Sequence, residues 1–243
     1  MSLTERLLGP VLRADGARPL ITFYDDADGS RVELSGATVA NWAAKCANWL
    51  RDECEVEVGD PVHVDLPAHW QTAGALLGTW WCGADVVADP ADAAVSLVAP
   101  DRVGDGLAQV NAVVSLHPMG LGIAAPPAGY VDYVGEIRVH GDFFHPIDPV
   151  PDDSPALLGS TVDEVAAAAS ARADALGIGR DARVLSTLGW ALPDGVVDGF
   201  LAVLAAGGSL VQCAHPDPAA LDTRAARERV TTWLPGENRT TAV

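Results

Sequence analysis

His140, Asp142, His145 and Asp148 lie close together in a Gly/Pro-rich segment and form the densest set of possible metal ligands in the chain. Imidazole and carboxylate donors of this kind suit divalent metals. A metal on His140, Asp142 and His145 would activate water for hydrolysis, provided three donors converge in a preformed geometry. The competing reading is a polar connector, and no metal is expected. Gly159-Ser160-Thr161 stands just before a helical pattern and offers backbone N–H groups to an anion. Read as a plain helix start, Ser160 or Thr161 is the cap, with Asp163 and Glu164 complementing the helix dipole. His63 on an alternating strand and His69 at a helix start read as structural histidines. Asp25, Asp26 and Asp28 read as a solvated hairpin turn, because a calcium loop needs a closing Glu. Cys46, Cys54, Cys82 and Cys213 show neither C-x-x-C nor zinc-finger spacing and read as reduced core residues. Neither G-x-S-x-G nor G-x-G-x-x-G occurs.

Charge removes whole classes of function. The chain has 15 basic and 33 acidic residues, a formal net charge of −18. Such a surface does not hold a nucleic-acid backbone or an anionic membrane. Fourteen of the basic residues are Arg, and Lys45 is the one lysine. The first residues lack the basic and apolar regions of a signal peptide, so a cytoplasmic location is expected. Leu66 to Ala84 and Gly106 to Val131 carry no charge and are long enough to cross a bilayer. Polar residues and prolines interrupt both, and both are expected to be buried elements.

The elements that position these groups follow from periodicity. Leu20 to Tyr24, a turn over Asp25 to Gly29, and Arg31 to Leu34 predict a β-hairpin. Ser35 caps a helix whose apolar stripe includes Val39, Trp42, Cys46 and Trp49. Val62 to Leu66 predicts a strand, His69 to Cys82 a buried helix ended by Gly83, and Asp85 to Ala88 the next strand. Further strands are expected at Ala94 to Val98 and Ala112 to Leu116. After a Pro/Asp-rich joint at His145 to Pro155, helices are expected at Val162 to Leu176, Pro193 to Ala206 and Pro218 to Arg229. Strands alternate with them at Arg183 to Leu188, Ser209 to Cys213 and Val230 to Leu234. Alternating strands and helices imply an α/β protein, with mostly parallel sheets covered by helices in two β-α-β lobes. One lobe is expected at about 56–150, the other at 1–55 plus 156–235, with a flexible tail over 236–243.

Several of these positions resemble the N-terminal part of the adenylate-forming enzymes, the superfamily of acyl-CoA synthetases and luciferases. The resemblance is carried by Val58-Gly59-Asp60-Pro61-Val62, Leu66-Pro67, Gly83-Ala84-Asp85-Val86-Val87, Leu204 to Val211, and Arg229 to Gly236. It implies the N-terminal domain of that family without its β-barrel and mobile C-terminal domain, in a truncated and degenerate member. It also implies that residues 20–52 pack with residues 183–234. The family holds ATP on a loop reading roughly T-S-G-T-T-G-x-P-K-G. The corresponding run here is Ala156 to Glu164, without the repeated glycines or the lysine. The motifs for adenine and ribose and the catalytic lysine have no counterpart, and Lys45 matches no catalytic position. The expectation is therefore a non-catalytic relative, without cofactor, that acts by binding a small molecule, a protein partner or a second copy of itself. The alternatives are a subunit of a split acyl-CoA synthetase and the metal-assisted hydrolase built on His140, Asp142 and His145.

Overall fold

The computed structural model describes residues 1–234; the tail expected over 236–243 lies outside the described residues. The chain opens with α1 (Leu3–Asp15), which begins on a capping box in which Ser2 and Glu5 satisfy each other's backbone amides. Strands β1 (Pro19–Asp25) and β2 (Ser30–Ser35) form the expected antiparallel hairpin. Ser35 then caps α2 (Gly36–Asp52) by accepting from the Thr38 amide. Strand β3 (Pro61–Asp65) leads to α3 (Trp70–Cys82), which His69 caps and Gly83 stops at φ 90°. Strands β4 (Asp85–Val87), β5 (Val95–Val98), β6 (Val110–Val113) and β7 (Val131–Asp132) follow, then the short α4 (Tyr133–Ile137).

The second half restarts with β8 (Pro155–Leu157), β9 (Ser160–Thr161), α5 (Val162–Ala175) and β10 (Arg183–Ser186). The helix expected over 193–206 is α6 (Asp194–Val196), a π-helical stretch at Val197–Leu201, and α7 (Ala202–Ala205). Strand β11 (Ser209–Ala214), α8 (Pro218–Glu228) and β12 (Thr232–Leu234) complete the described chain.

The strands form two sheets. One has the order β12-β10-β11-β1-β2, the other β7-β6-β5-β3-β4-β8-β9. Strand β1 runs parallel to β11, with Ile21 beside Leu210 and Asp25 beside Ala214. The opening hairpin thus extends the sheet built by the C-terminal half, the packing that the resemblance implies. Strands β8 and β9 join the edge of the other sheet through Val86 and Leu157, beyond the boundary expected at residue 150.

The main apolar core runs between the sheets and their helices, beside two smaller clusters around Leu185 and Val211 and around Val98 and Val113. Helix α3 is buried almost all round, with Leu76, Leu77 and Trp80 among its fully enclosed side chains. Each such residue stabilises the fold by roughly 1.5–3 kcal/mol. Helices α2 and α3 touch backbone to backbone at Gly78, where an added Cβ would lie 2.5 Å from the Cys46 Cβ. All four cysteines are free thiols. Burial pushes the Cys54 and Cys82 thiols up to about 12, so neither is a ready thiolate.

One expectation fails. Leu66 to Ala84 is buried, but much of Gly106 to Val131 is an exposed irregular loop around β6. Pro118, Pro126 and Pro127 break any ladder there, and absence of charge alone does not bury a segment. Among the described residues no helix is long and apolar enough to cross a membrane.

Candidate functional site

In an open parallel sheet, a ligand crevice forms where neighbouring connections leave a strand in opposite directions. In the larger sheet that strand is β3, flanked by β4 and β5; in the smaller it is β10, flanked by β11 and β12. The chain leaving β3 runs through Leu66, Pro67 and Ala68, and the chain leaving β10 through Gly189 to Leu192. These two segments face each other across a cleft of about 350 Å³.

The cleft walls carry few polar groups. His63 Nδ1 lies 2.8 Å from Ser96 Oγ, and burial lowers the imidazole pKa, which keeps the ring neutral at pH 7. Asp65 at the end of β3 is ion-paired with Arg102. Trp190 stacks on Phe200 with ring centroids 4.7 Å apart. Such a cleft suits a small, largely apolar molecule. Its residues were not singled out from the sequence, because only the convergence of two distant strand ends makes them neighbours. His69 lies next to it in sequence and is structural at Nδ1, which accepts the Gln71 amide; burial holds its pKa at about 3.

Gly159, Ser160 and Thr161 sit at the tip of the β8–β9 hairpin and the start of α5. Leu158 and Gly159 have φ of 50° and 80°, the pair of positive values that makes a two-residue type I′ turn. The amides that would face an anion have acceptors inside the protein. Gly159 N–H donates to Asp85 Oδ2 at 3.0 Å, and Thr161 N–H to Glu164 Oε2 at 2.9 Å. Leu158 N–H donates to Val86 O, Val162 N–H to Ser154 O, and Asp163 N–H to Asp152 O. Glu164 N–H returns to Thr161 Oγ1 at 3.2 Å, which closes a capping box. Thr161, rather than Ser160, is the cap.

A hollow of about 630 Å³ lies beside this hairpin, and Arg172 is its one cationic wall residue among the described residues. Arg172 is already held by both carboxylate oxygens of Asp198, at 2.6 and 2.8 Å. The sequence offers Ser160 or Thr161 as the cap and Glu164 as a complement to the dipole; the T-x-x-E spacing is the signal for the capping box, and Asp85, far away in sequence, gives none.

His140, Asp142 and His145 do not form a ligand set. The His140 ring lies 3.0 Å from Glu53, Asp142 pairs with Lys45 at 2.8 Å, and the His145 carbonyl accepts from Arg51. Among the described residues no group of three or more His, Cys, Asp or Glu side chains could hold a metal ion. The acidic turn of the opening hairpin does more than meet solvent: Asp26 accepts from Arg224 and from the Asp217 amide.

No family model matches the chain. It is 48% identical over 241 residues to a TIGR03089 family protein of Mycobacterium tuberculosis, a match covering 96% of this chain and 98% of that protein. Among solved structures it is similar to the Brucella canis acyl-CoA synthetase, with a TM-score of 0.74 and 15% identity over 96% of this chain and 47% of that one. It is also similar to the anthranilate CoA ligase AuaEII in complex with anthranoyl-AMP, with a TM-score of 0.69 and 13% identity over 96% of this chain and 49% of that one. A third likeness is to CmiS6, with a TM-score of 0.66 and 20% identity over 96% of this chain and 60% of that one. The chain thus spans 47% to 60% of the length of these structures. At these identities the likeness shows the fold, an α/β arrangement similar to acyl-CoA synthetase N-terminal domains.

Proposed function

The chain belongs to the TIGR03089 family, and from that premise and its acyl-CoA synthetase-like fold we propose that it is a non-catalytic relative of the adenylate-forming enzymes that works by binding. The observation that carries this reading is the β8–β9 hairpin, where the resemblance to adenylate-forming enzymes puts their ATP loop. The amides of Leu158, Gly159, Thr161, Val162, Asp163 and Glu164 all donate to protein acceptors, and two of those acceptors are carboxylates. A phosphate placed there would have to displace Asp85 and Glu164 and remain beside them. Transfer of an adenylyl group needs concentrated positive charge on the phosphates. Each missing charge-assisted contact costs roughly 1.5–3 kcal/mol of binding.

Binding remains open to the chain in two places. The cleft between the ends of β3 and β10 has the shape and apolar walls for a small molecule. The second is the exposed apolar side chains of residues 139–147, which offer a surface to a protein partner. Calorimetric titration with ATP–Mg, together with pyrophosphate exchange over a panel of carboxylic acids, tests the reading. No binding and no exchange are expected; either signal would overturn it.

A further inference from the structure

Residues 138–151 form a strap across the C-terminal half of α2. Lys45, Asn48 and Arg51 stand three residues apart on one helix face and hold it by its carbonyls. Lys45 Nζ donates to His140 O at 2.7 Å, Asn48 Nδ2 to Gly141 O at 3.1 Å and Phe143 O at 2.9 Å, and Arg51 to His145 O at 3.0 Å. Phe144 turns inward against Trp81, with Arg51 lying 4.8 Å over its ring. Its neighbours face the other way. Val139 is 80% exposed, Phe143 83% and Ile147 81%.

The backbone from His140 to His145 is tied down at four carbonyls, so Phe143 is held in place, with Val139 and Ile147 flanking the tied stretch. Scattered single exposures need no explanation, but here three large apolar side chains are exposed within nine residues, and one of them, Ile147, lines a hollow. A hollow of about 780 Å³ lies beside Ile147, lined by Val56, Val58 and Phe144. Its rim carries Glu55, Glu57 and Asp148 against Arg51, and Arg51 is already paired with Asp52.

We propose that the strap and this hollow are a docking surface for a segment of another protein that carries aromatic or aliphatic anchors flanked by Lys or Arg. The proposal rests on the reading of the chain as a binding protein and names the partner's chemistry. The acidic rim selects the charge of the occupant. A second copy fits poorly, because it would set acidic rim against acidic rim in a chain whose net charge is −18. The ordered backbone lowers the entropy cost of docking.

A random peptide display library selected on the full-length chain tests this. Recovered peptides should be basic, with paired aromatic or branched aliphatic residues, and their binding should weaken as salt rises. Phe143→Ser and Ile147→Ser should each reduce affinity roughly tenfold, as anchor contacts do. Both side chains are exposed, so both variants should unfold at the wild-type temperature. Leu107→Ser, at a residue 62% exposed outside the strap, should change nothing. Acidic or absent consensus peptides, or binding indifferent to both strap variants, would overturn the proposal. So would a full-length dimer in sedimentation that Phe143→Ser turns into monomer, which assigns the surface to a second copy. A blank selection with no ATP binding removes only the docking surface; ATP binding with basic peptides recovered removes only the non-catalytic reading.

Discussion

Asp85 Oδ2 accepts the backbone N–H of Gly159 at 3.0 Å, so a carboxylate from the end of one helix–strand connection occupies the amide at the tip of the β8–β9 hairpin. Burial raises the Asp85 pKa above the usual carboxylate value, and the Gly159 amide only partly opposes this. A folded-state pKa above the unfolded one favours folding at low pH and loses that benefit as pH rises. Asp85→Asn keeps an acceptor and removes the charge. Its stability relative to the wild type should therefore climb as pH rises through and above the usual carboxylate value. Urea unfolding of both proteins across that range measures it, and a flat difference would show that the Asp85 charge carries no burial cost.

Glu228 has the opposite linkage. Burial by itself raises its pKa, but Tyr24 O–H, Arg183 and Arg31 outweigh this by donating to it and hold it at about 2. Stability from this group is present above the unfolded carboxylate value and is lost as pH falls towards about 2. Glu228→Gln should cost about 2–3 kcal/mol at neutral pH and flatten the acid limb of the stability curve. Thermal unfolding at neutral pH and at several acidic pH values reads both effects.

Asn48 is the central tie of the strap. Its amide donates to two carbonyls, and its Oδ1 accepts from Arg51 at 3.0 Å. Asn48→Ala should cost about 1–3 kcal/mol. It should also speed amide exchange and proteolysis over residues 138–148 while leaving α3 protected. Exchange mass spectrometry resolves the two regions.

Gly78 is required by a close approach, not by its backbone conformation. Alanine in an exposed helix would gain roughly 1 kcal/mol over glycine. Here its Cβ would meet Cys46 and sit 2.8 Å from the Ala43 carbonyl. Gly78→Ala should instead cost about 2 kcal/mol or more by wedging α2 from α3. A lowered unfolding midpoint in denaturant is the expected result.

The sequence disclosed what local chemistry determines. The opening hairpin, the Ser35 cap, the Gly83 stop and the Thr161 start of α5 each depend on residues within a few positions of one another. Helix α1 went unread although Ser2 and Glu5 spell its capping box, because Pro10 interrupts the pattern inside it. The π-helical turn at Val197–Leu201 has no sequence signature. The loop over 106–131 lacks charge yet is largely exposed, because its prolines and glycines keep most of it out of any sheet or helix that would bury it. The site was least legible of all. Asp85 meets Gly159, Lys45 meets His140 and the end of β3 meets the chain after β10 only once two sheets have formed. None of those pairings leaves a periodic trace in the chain.

Titration of the full-length chain with ATP–Mg in a calorimeter tests the central claim most directly. With its hairpin amides bonded to Asp85, Glu164 and backbone carbonyls, the protein should give no binding heat, which places any Kd above about 1 mM. A micromolar Kd would contradict the account, because a phosphate would then have found donors that the fold has already committed elsewhere.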